Sequence, residues 1–147
     1  MISIHLEIGG AMAKKFNIEI IASDHPFYKG ECEMVVFPGI DGEFGVLADH
    51  EAMVTCLKEG ELRFQVNNEW HHAAISDGIV EITPSKVVIL ADTIEDPDEI
   101  DLNRAELAKR QAEEKLRQKL SLIEYYQTMA ALNRAMTRLK VKTRHMK

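Results

Sequence analysis

The chain contains no glycine and no proline after Pro97. All eight glycines and all four prolines lie at or before that residue, and the fifty residues 98–147 contain neither. Those fifty residues are rich in Ala, Leu, Lys, Arg, Glu and Gln, which favour helix, and they lack the two residue types that most often interrupt one. The sequence therefore predicts a helical segment over 98–147 and a differently built segment before it.

The charge balance changes at the same point. Residues 1–97 carry 17 Asp and Glu against six Lys and Arg, a net charge of −11. Residues 98–147 carry seven Asp and Glu against 12 Lys and Arg, a net charge of +5. Acidic residues are concentrated at the start of this second segment and basic residues at its end, which suits a helix dipole. We therefore predict two domains, at 12–97 and 98–147.

Residues 12–97 have the pattern of an all-β domain. Short apolar runs are separated by turn residues such as Asn67-Asn68, and Glu61–Val66 alternates between polar and apolar side chains. The predicted fold class is α+β: an N-terminal β-sandwich (a flattened barrel) followed by an antiparallel two-helix hairpin. The predicted strands are Phe16–Ala22, Cys32–Phe37, Gly45–Leu47, Met53–Leu57, Leu62–Val66, His72–Ile75, Ile79–Ile82 and Lys86–Ala91.

The first eleven residues, Met1–Ala11, form an extension before the predicted sandwich. They include Gly9-Gly10, they do not start with a basic region, and their apolar part is too short for a secretory signal. We expect residues 1–11 to be disordered and assign them no function.

Two apolar stripes predict that residues 98–147 form a helical hairpin. The first stripe is rich in alanine and the second in larger side chains, and each repeats at intervals of three or four. A break near Ser121 would lay them together as an antiparallel pair that buries little area and is weakly held. A single long helix is the competing interpretation. The stripes are Ala105, Ala108, Ala112, Leu116 and Leu120, and Tyr126, Met129, Leu132, Met136 and Leu139.

Several classes of protein are disfavoured by composition and motifs. The net charge of −6 argues against a general nucleic-acid binder, and no stretch approaches the ~20 apolar residues of a membrane span. We interpret Cys32 and Cys56 as reduced core thiols, because two cysteines at this spacing make neither a disulfide framework nor a zinc site. The sequence contains no phosphate-binding glycine loop, dinucleotide fingerprint or nucleophile elbow.

Two groups of titratable residues are candidates for a metal site or a catalytic site. His71 and His72 would point to opposite faces of a strand, so we interpret them as exposed strand histidines rather than as a metal site. Asp49-His50-Glu51 has no recognisable nucleophile beside it, so we interpret it as a loop. The sequence therefore predicts neither a metal site nor a catalytic constellation.

A basic face is predicted on the second helix. Arg134, Arg138 and Lys142 recur every four residues. Such a run is either a solvated surface or an anion site, because the guanidinium fork matches phosphate and carboxylate geometry.

Four segments match, in order, the patterns of one protein family. The loop Gly42–His50 resembles G-E-x-G-[IV]-L-P-G-H, and Ser76–Pro84 resembles S-G-G-x-x-E-V-x-P. Val88–Thr93 matches a last sandwich strand, and Asn133–Leu139 is similar to a second-helix signature. Over roughly residues 14–141 the chain thus resembles the epsilon subunit of bacterial F-type ATP synthase. The departures from its patterns are Ala48 for Pro, Asp49 for Gly and Asp77 for Gly.

This resemblance implies a non-catalytic subunit of the rotor's central stalk. In that family the sandwich packs on the gamma subunit and the c-ring, and Glu43 and His50 would lie at this rotor interface. The helical domain would permit ATP hydrolysis when folded on the sandwich and inhibit it when extended into the catalytic head subunits. The implied location is peripheral, on the cytoplasmic face of the bacterial cell membrane, through the complex alone. Coupling to protons or to sodium ions stays open.

The start of the hairpin is similar to a nucleotide motif of some bacterial members. Ile100–Ala105 fits I/L-D-x-x-R-A, and the resemblance implies ATP as a regulatory ligand, with no cofactor required. A further arginine of that pattern is replaced by Gln111. The alternative is that Asp101 and Arg104 only cap and salt-bridge the start of a helix. The residues implied for the ATP site are Glu95, Asp101, Arg104, Arg134 and Arg138.

Two other classes of function stay open at this point. One is a free-standing small-molecule sensor whose hairpin clamps an anion. The other is a nucleic-acid binder that uses the basic hairpin, which the acidic sandwich and the lack of clustered aromatic residues disfavour.

Overall fold

The computed structural model describes residues 14–146, and the predicted N-terminal extension at 1–11 lies outside them. Within the described residues, ten strands are followed by a short 3₁₀-helix and two α-helices. Contacts divide the chain into two compact units, one ending at Ile94 and one beginning at Glu95. The strands are β1 (Phe16–Ala22), β2 (Pro26–Cys32), β3 (Met34–Gly39), β4 (Gly42–Val46), β5 (Met53–Leu57), β6 (Gly60–Val66), β7 (Glu69–Ile75), β8 (Gly78–Ile82), β9 (Lys86–Ala91) and β10 (Ile94–Glu95); the 3₁₀-helix is Pro97–Glu99, and the α-helices are α1 (Leu102–Leu116) and α2 (Leu122–Arg144).

The first unit is a sandwich of two five-stranded sheets, as predicted. The first sheet has the order β2-β1-β9-β8-β5, and the second has the order β10-β7-β6-β3-β4. The first sheet joins strands from both ends of the unit, because β1 pairs with β9 in parallel. Strands β8 and β9 then pair antiparallel, as do β5 and β8.

Alternating side chains build the core between the sheets. In β1 the residues at every second position are buried, and the same period appears in β6 and β9. This alternation is what made those strands predictable. Fully buried members of the core include Ile18, Ile20, Val35, Phe37, Leu62, Val80 and Ile89.

Strand β2 was not predicted from the sequence. It contains Pro26 and Gly30, and of its seven residues only Cys32 is buried. Because β2 lies at the edge of its sheet, it can carry a proline, and it exposes Lys29 and Glu31 on its outer face without uncovering the core. The apolar alternation that reveals a strand is therefore missing there.

Left-handed backbone conformations fix two of the turns. Asn67 and Asn68 have φ of 52° and 66° and join β6 to β7, as the preferred two-residue hairpin turn requires. Asp49 has φ of 65°. It stands where the family pattern has glycine, and Asp is one of the few other residues that tolerate this conformation.

The predicted two-helix hairpin is confirmed, with capped ends on both sides of the break. Ser121 is the N-cap of α2 and forms a reciprocal capping box with Glu124. The Asp101 side chain caps α1 by accepting from the Arg104 backbone N–H at 3.0 Å. The short connection brings α2 back against α1, so a single long helix is wrong.

The second predicted stripe is wrong in part. Ala105 and Ala112 of the first stripe are buried, as expected, whereas Tyr126 and Met136 are 63% and 49% exposed. The buried positions of α2 are Thr128, Ala135 and Val141. Small side chains there allow close approach to the alanines of α1, and a prediction based on the largest apolar residues missed this seam.

Two further predictions need correction. Cys32 is buried, but Cys56 is exposed on β5, at the edge of the first sheet, and is not a core thiol. His71 is exposed, as predicted, but His72 is half-buried with its Nδ1 atom 3.1 Å from an oxygen of Glu61. Glu61 on the neighbouring strand contacts His72, and sequence spacing does not reveal this pairing.

Candidate functional site

The segment before α1 is held in a defined conformation by its own side chains. The Asp96 side chain accepts from the Asp98 backbone N–H at 2.9 Å, and the Glu99 side chain accepts from the Asp96 backbone N–H at 3.1 Å. Pro97 stands at the first position of the 3₁₀-helix, where its missing N–H costs nothing. This capping box fixes the chain immediately after Glu95.

Glu95 is one of the residues implied for the ATP site, and it contacts another of them. The Arg138 Nε–H donates to a carboxylate oxygen of Glu95, and both side chains are about one-third exposed (31% and 32%). One helical turn further along α2, the Lys142 ammonium donates to the Pro97 carbonyl at 3.1 Å. Two cations of the predicted basic face are therefore engaged by the segment 95–97.

The other residues implied for that site have different surroundings. Asp101 serves as the N-cap of α1, which is the alternative role considered for it. Arg104 and Arg134 are exposed, and Arg134 lies one turn before Arg138 on α2. Gln111 is exposed on α1. The structure thus joins Glu95 to Arg138 and leaves two guanidinium groups open to solvent.

Chemically, this arrangement is suited to binding an anion rather than to catalysis. Guanidinium and ammonium groups donate charge-assisted hydrogen bonds that suit phosphate oxygens. The Glu95 carboxylate already accepts such a bond from Arg138. An incoming anion would therefore meet Arg134 and Arg104 as exposed donors and Arg138 as an occupied one.

The two residues predicted for the rotor interface lie close in sequence but have separate neighbours. Glu43 on β4 pairs with Arg63 on β6, with an Nη1 to Oε2 distance of 2.8 Å. His50 packs its ring 5.7 Å from that of Phe44, and its Nδ1 lies 2.8 Å from the Glu51 carbonyl oxygen. Because Glu43 and Phe44 are consecutive strand residues, their side chains point to opposite faces.

An apolar row across the outer face of the first sheet was not anticipated. Ile21 on β1 pairs with Leu90 on β9, Leu90 pairs with Ile79 on β8, and Ile79 pairs with Cys56 on β5. Leu90 and Ile79 are 47% and 51% exposed. We call these four residues the apolar row. Cys56 is exposed as well, and Ile21 is partly buried. The four residues lie on four different strands, and only the strand register brings them together.

A shallow groove of about 380 Å³ lies along the apolar row and is lined by three of its four residues. Ile21, Ile79 and Leu90 line it, and Asp77 and Asp92 stand among its lining residues. The Ser23 hydroxyl donates to the Asp92 carbonyl at 2.9 Å and helps to fix that wall. Such a groove suits an apolar side chain of a partner with a cation close to it.

The same face carries a charged cluster next to the apolar row. Glu19 on β1 lies 3.3 Å from the Lys86 ammonium and 3.4 Å from that of Lys29. The hydrogen bond from Lys86, followed by that from Lys29, lowers the pKa of Glu19, while desolvation opposes the change. The face therefore combines an apolar centre with charged positions, as protein interfaces do.

Two family models match the chain and together cover most of it. Residues 15–97 match the model described as ATP synthase, delta/epsilon chain, beta-sandwich domain. Residues 98–143 match the model described as ATP synthase, delta/epsilon chain, long alpha-helix domain.

Curated relatives are similar along nearly their whole length. The chain is 46% identical over 129 residues to the ATP synthase epsilon chain of Ruminiclostridium cellulolyticum, covering 88% of this chain and 96% of the relative. It is 45% identical over 127 residues to that of Caldicellulosiruptor saccharolyticus, covering 86% and 93%. Among solved structures, a chain of the Euglena gracilis mitochondrial ATP synthase has a TM-score of 0.75 and covers 93% of this chain and 88% of its own length. At 20% identity, that likeness concerns the fold alone.

Proposed function

Since this chain belongs to the ATP synthase delta/epsilon chain family, we propose that it joins the gamma subunit to the c-ring in the central stalk and regulates ATP hydrolysis through its helical hairpin. The observation that carries this proposal is that both units of the chain match that family, in order and over most of its length. The chain is a subunit of ATP synthase other than the catalytic one.

The sandwich supplies the docking surface in this proposal. The apolar row and its groove offer an apolar strip on the outer face of a five-stranded sheet, and burying such a strip against gamma removes it from water. Glu43 and His50, at β4 and the loop after it, are proposed to contact the c-ring. These separate locations would let one sandwich hold two partners.

A pair of substitutions tests the docking surface directly. Ile79→Ser with Leu90→Ser removes the centre of the apolar row while leaving the buried core residues in place. Leu107→Ser on α1, where the side chain is 48% exposed, is the matched control. We expect the double variant to lose most of its co-purification with gamma and the control to retain it. Equal retention by both variants would contradict docking through this face.

The hairpin is proposed to be the regulatory arm. Its buried seam consists of Ala105 and Ala112 against Thr128, Ala135 and Val141, so it buries little apolar area. Two arrangements of such an arm can differ by few kcal/mol, and a ligand that prefers one of them shifts the population. In the extended arrangement, the basic face of α2 would meet the catalytic head subunits.

ATP is the proposed ligand of the arm. Arg104, Arg134 and Arg138 would donate to its phosphates, and Asp101 would hold the start of α1 in place through its cap. No cofactor is required for this role. The exposure of Arg104 and Arg134 supports the proposal, because both guanidinium groups are accessible to a ligand from solution.

The proposed location is the cytoplasmic face of the bacterial membrane, reached through gamma and the c-ring. None of the helices within residues 14–146 is long and apolar enough to span a bilayer. Attachment is therefore proposed to depend on the complex, and washing conditions that remove gamma should remove this chain with it.

A further inference from the structure

In the ion pair between Glu95 and Arg138, the Glu95 carboxylate occupies the guanidinium group that the proposed ATP site would use. The contact uses the Nε–H of Arg138 and one carboxylate oxygen of Glu95. Both side chains are about one-third exposed, so a ligand can reach the pair from solvent. A phosphate group that binds Arg138 must therefore share or replace this carboxylate.

For a phosphate group to share Arg138 with the Glu95 carboxylate is electrostatically unfavourable. A polyphosphate carries several negative charges, and a carboxylate within about 4–6 Å of it disfavours the charged complex. Replacement instead requires the existing charge-assisted hydrogen bond to break. Either route lowers the affinity of the site relative to a chain in which residue 95 is neutral.

Other contacts hold the segment that carries Glu95 next to α2, and they would break if the segment moved away. The capping box between Asp96 and Glu99 fixes the next turn, and Lys142 binds the Pro97 carbonyl at 3.1 Å. These contacts keep the Glu95 carboxylate beside α2. Its position is thus set by the fold, rather than by one flexible side chain alone.

We propose that Glu95 is a gate on the nucleotide site and not a ligand contact: it occupies Arg138 in the free chain and is displaced when a polyphosphate binds. This inference rests on the proposed ATP site, and it reverses the role that the family resemblance implies for Glu95. By thermodynamic linkage, anion binding and the Glu95–Arg138 pair weaken each other to the same extent.

The test is calorimetric titration of the full chain with ATP and, separately, with inorganic tripolyphosphate at fixed salt. We expect Glu95→Gln to bind both ligands about threefold to tenfold more tightly than the wild-type chain, the range that losing a partly exposed charge contact allows. Asp98→Asn is the matched control, because it removes one exposed negative charge three residues away. It should change affinity by less than about twofold.

Substitution of the partner completes the design. Arg138→Gln should weaken binding, and Glu95→Gln added to Arg138→Gln should give no further gain, because the gate then has nothing to occupy. Weaker binding by Glu95→Gln would make Glu95 a ligand contact and overturn the gate. An equal gain in affinity from Asp98→Asn would show that the effect comes from net charge, and it would also overturn the gate.

Failure of the gate and failure of the ATP site give different results. If the wild-type chain binds ATP but Glu95→Gln does not tighten it, the gate is wrong and the site stands. If neither chain binds ATP or tripolyphosphate at millimolar concentration, the site is wrong and the gate falls with it.

Discussion

Gly78 lies so close to Leu90 that no side chain fits between them. A Cβ atom added to Gly78 would lie 1.9 Å from the Leu90 carbonyl oxygen and 2.9 Å from the Ala91 Cα. Both neighbours are backbone atoms of β9, the strand paired with β8 in the core of the first sheet. Gly78 is therefore required at the start of β8, although its φ is not in the left-handed region.

We expect Gly78→Ala to destabilise the chain by about 3 kcal/mol or more, because a backbone strand must shift to relieve the overlap. The measurement is the free energy of unfolding from urea denaturation. Gly30→Ala is the control: its Cβ would lie 2.8 Å from the Tyr28 hydroxyl, at the movable end of a side chain. That variant should change stability by less than about 1 kcal/mol. Similar losses in both variants would show that the contact with β9 is not decisive.

The fold could be predicted where burial leaves a period in the sequence. Strands β1, β5 and β9 begin and end at the predicted residues, because each is an apolar run with turn residues or polar residues at both ends. Strand β2 was missed because an edge strand needs no apolar alternation. The helix break at Ser121 was predicted, but the seam between α1 and α2 was not, since hydrophobicity does not reveal which small residues allow close approach.

The candidate site could be predicted in its residue types but not in its contacts. The spacing of Arg134 and Arg138 placed two guanidinium groups on one helix face, and this is their position on α2. The pairing of Glu95 with Arg138 joins residues 43 positions apart. No local pattern encodes such a contact. The same holds for the apolar row, which exists only through strand register.

The two cysteines should react differently with thiol reagents. Cys32 has no exposed surface, and burial, with a contribution from the nearby Glu33 carboxylate, raises the pKa of its thiol to about 12. Cys56 is exposed. Because the thiolate is the reactive form, we expect one thiol to react with Ellman's reagent in the native chain at pH 8 and two after unfolding. Native Cys56→Ser should show almost no reaction, and fast reaction of that variant would contradict the burial of Cys32.

Stability should fall in alkaline solution because of Cys32. Its thiol ionises near pH 9 in the unfolded chain and near pH 12 in the folded one. Above pH 9 the unfolded state therefore loses a proton that the folded state keeps, and the free energy of unfolding falls by up to about 1.4 kcal/mol per pH unit. Urea denaturation between pH 8 and 11 should show this slope in the wild type and in Cys56→Ser. Cys32→Ala should show a shallower slope, and an unchanged slope would contradict the assignment.

Arginine substitutions test the proposed ATP site apart from its gate. We expect Arg104→Ala and Arg134→Ala each to weaken ATP binding by about 1.5–3 kcal/mol, the range for a charge-assisted hydrogen bond. Arg110→Ala, which removes an exposed arginine of α1 outside the motif, is the matched control and should have little effect. The measurement is calorimetry on the full chain. Binding that neither substitution changes would place the nucleotide elsewhere.

The most direct test of the central claim separates the sandwich from the hairpin. A chain ending at Asp96 keeps the core between the two sheets and lacks α1 and α2. ATP hydrolysis and ion pumping should be measured in membranes reconstituted with this chain and with the full chain. Arg134→Glu with Arg138→Glu in the full chain should reproduce part of any effect, more strongly at low salt, because exposed charges are screened.

The proposal predicts that the truncated chain assembles with gamma and the c-ring, raises the rate of ATP hydrolysis and leaves pumping coupled to it. Loss of assembly or of coupling would show that the hairpin is needed for more than regulation. An unchanged hydrolysis rate in a fully assembled enzyme would contradict the regulatory arm itself.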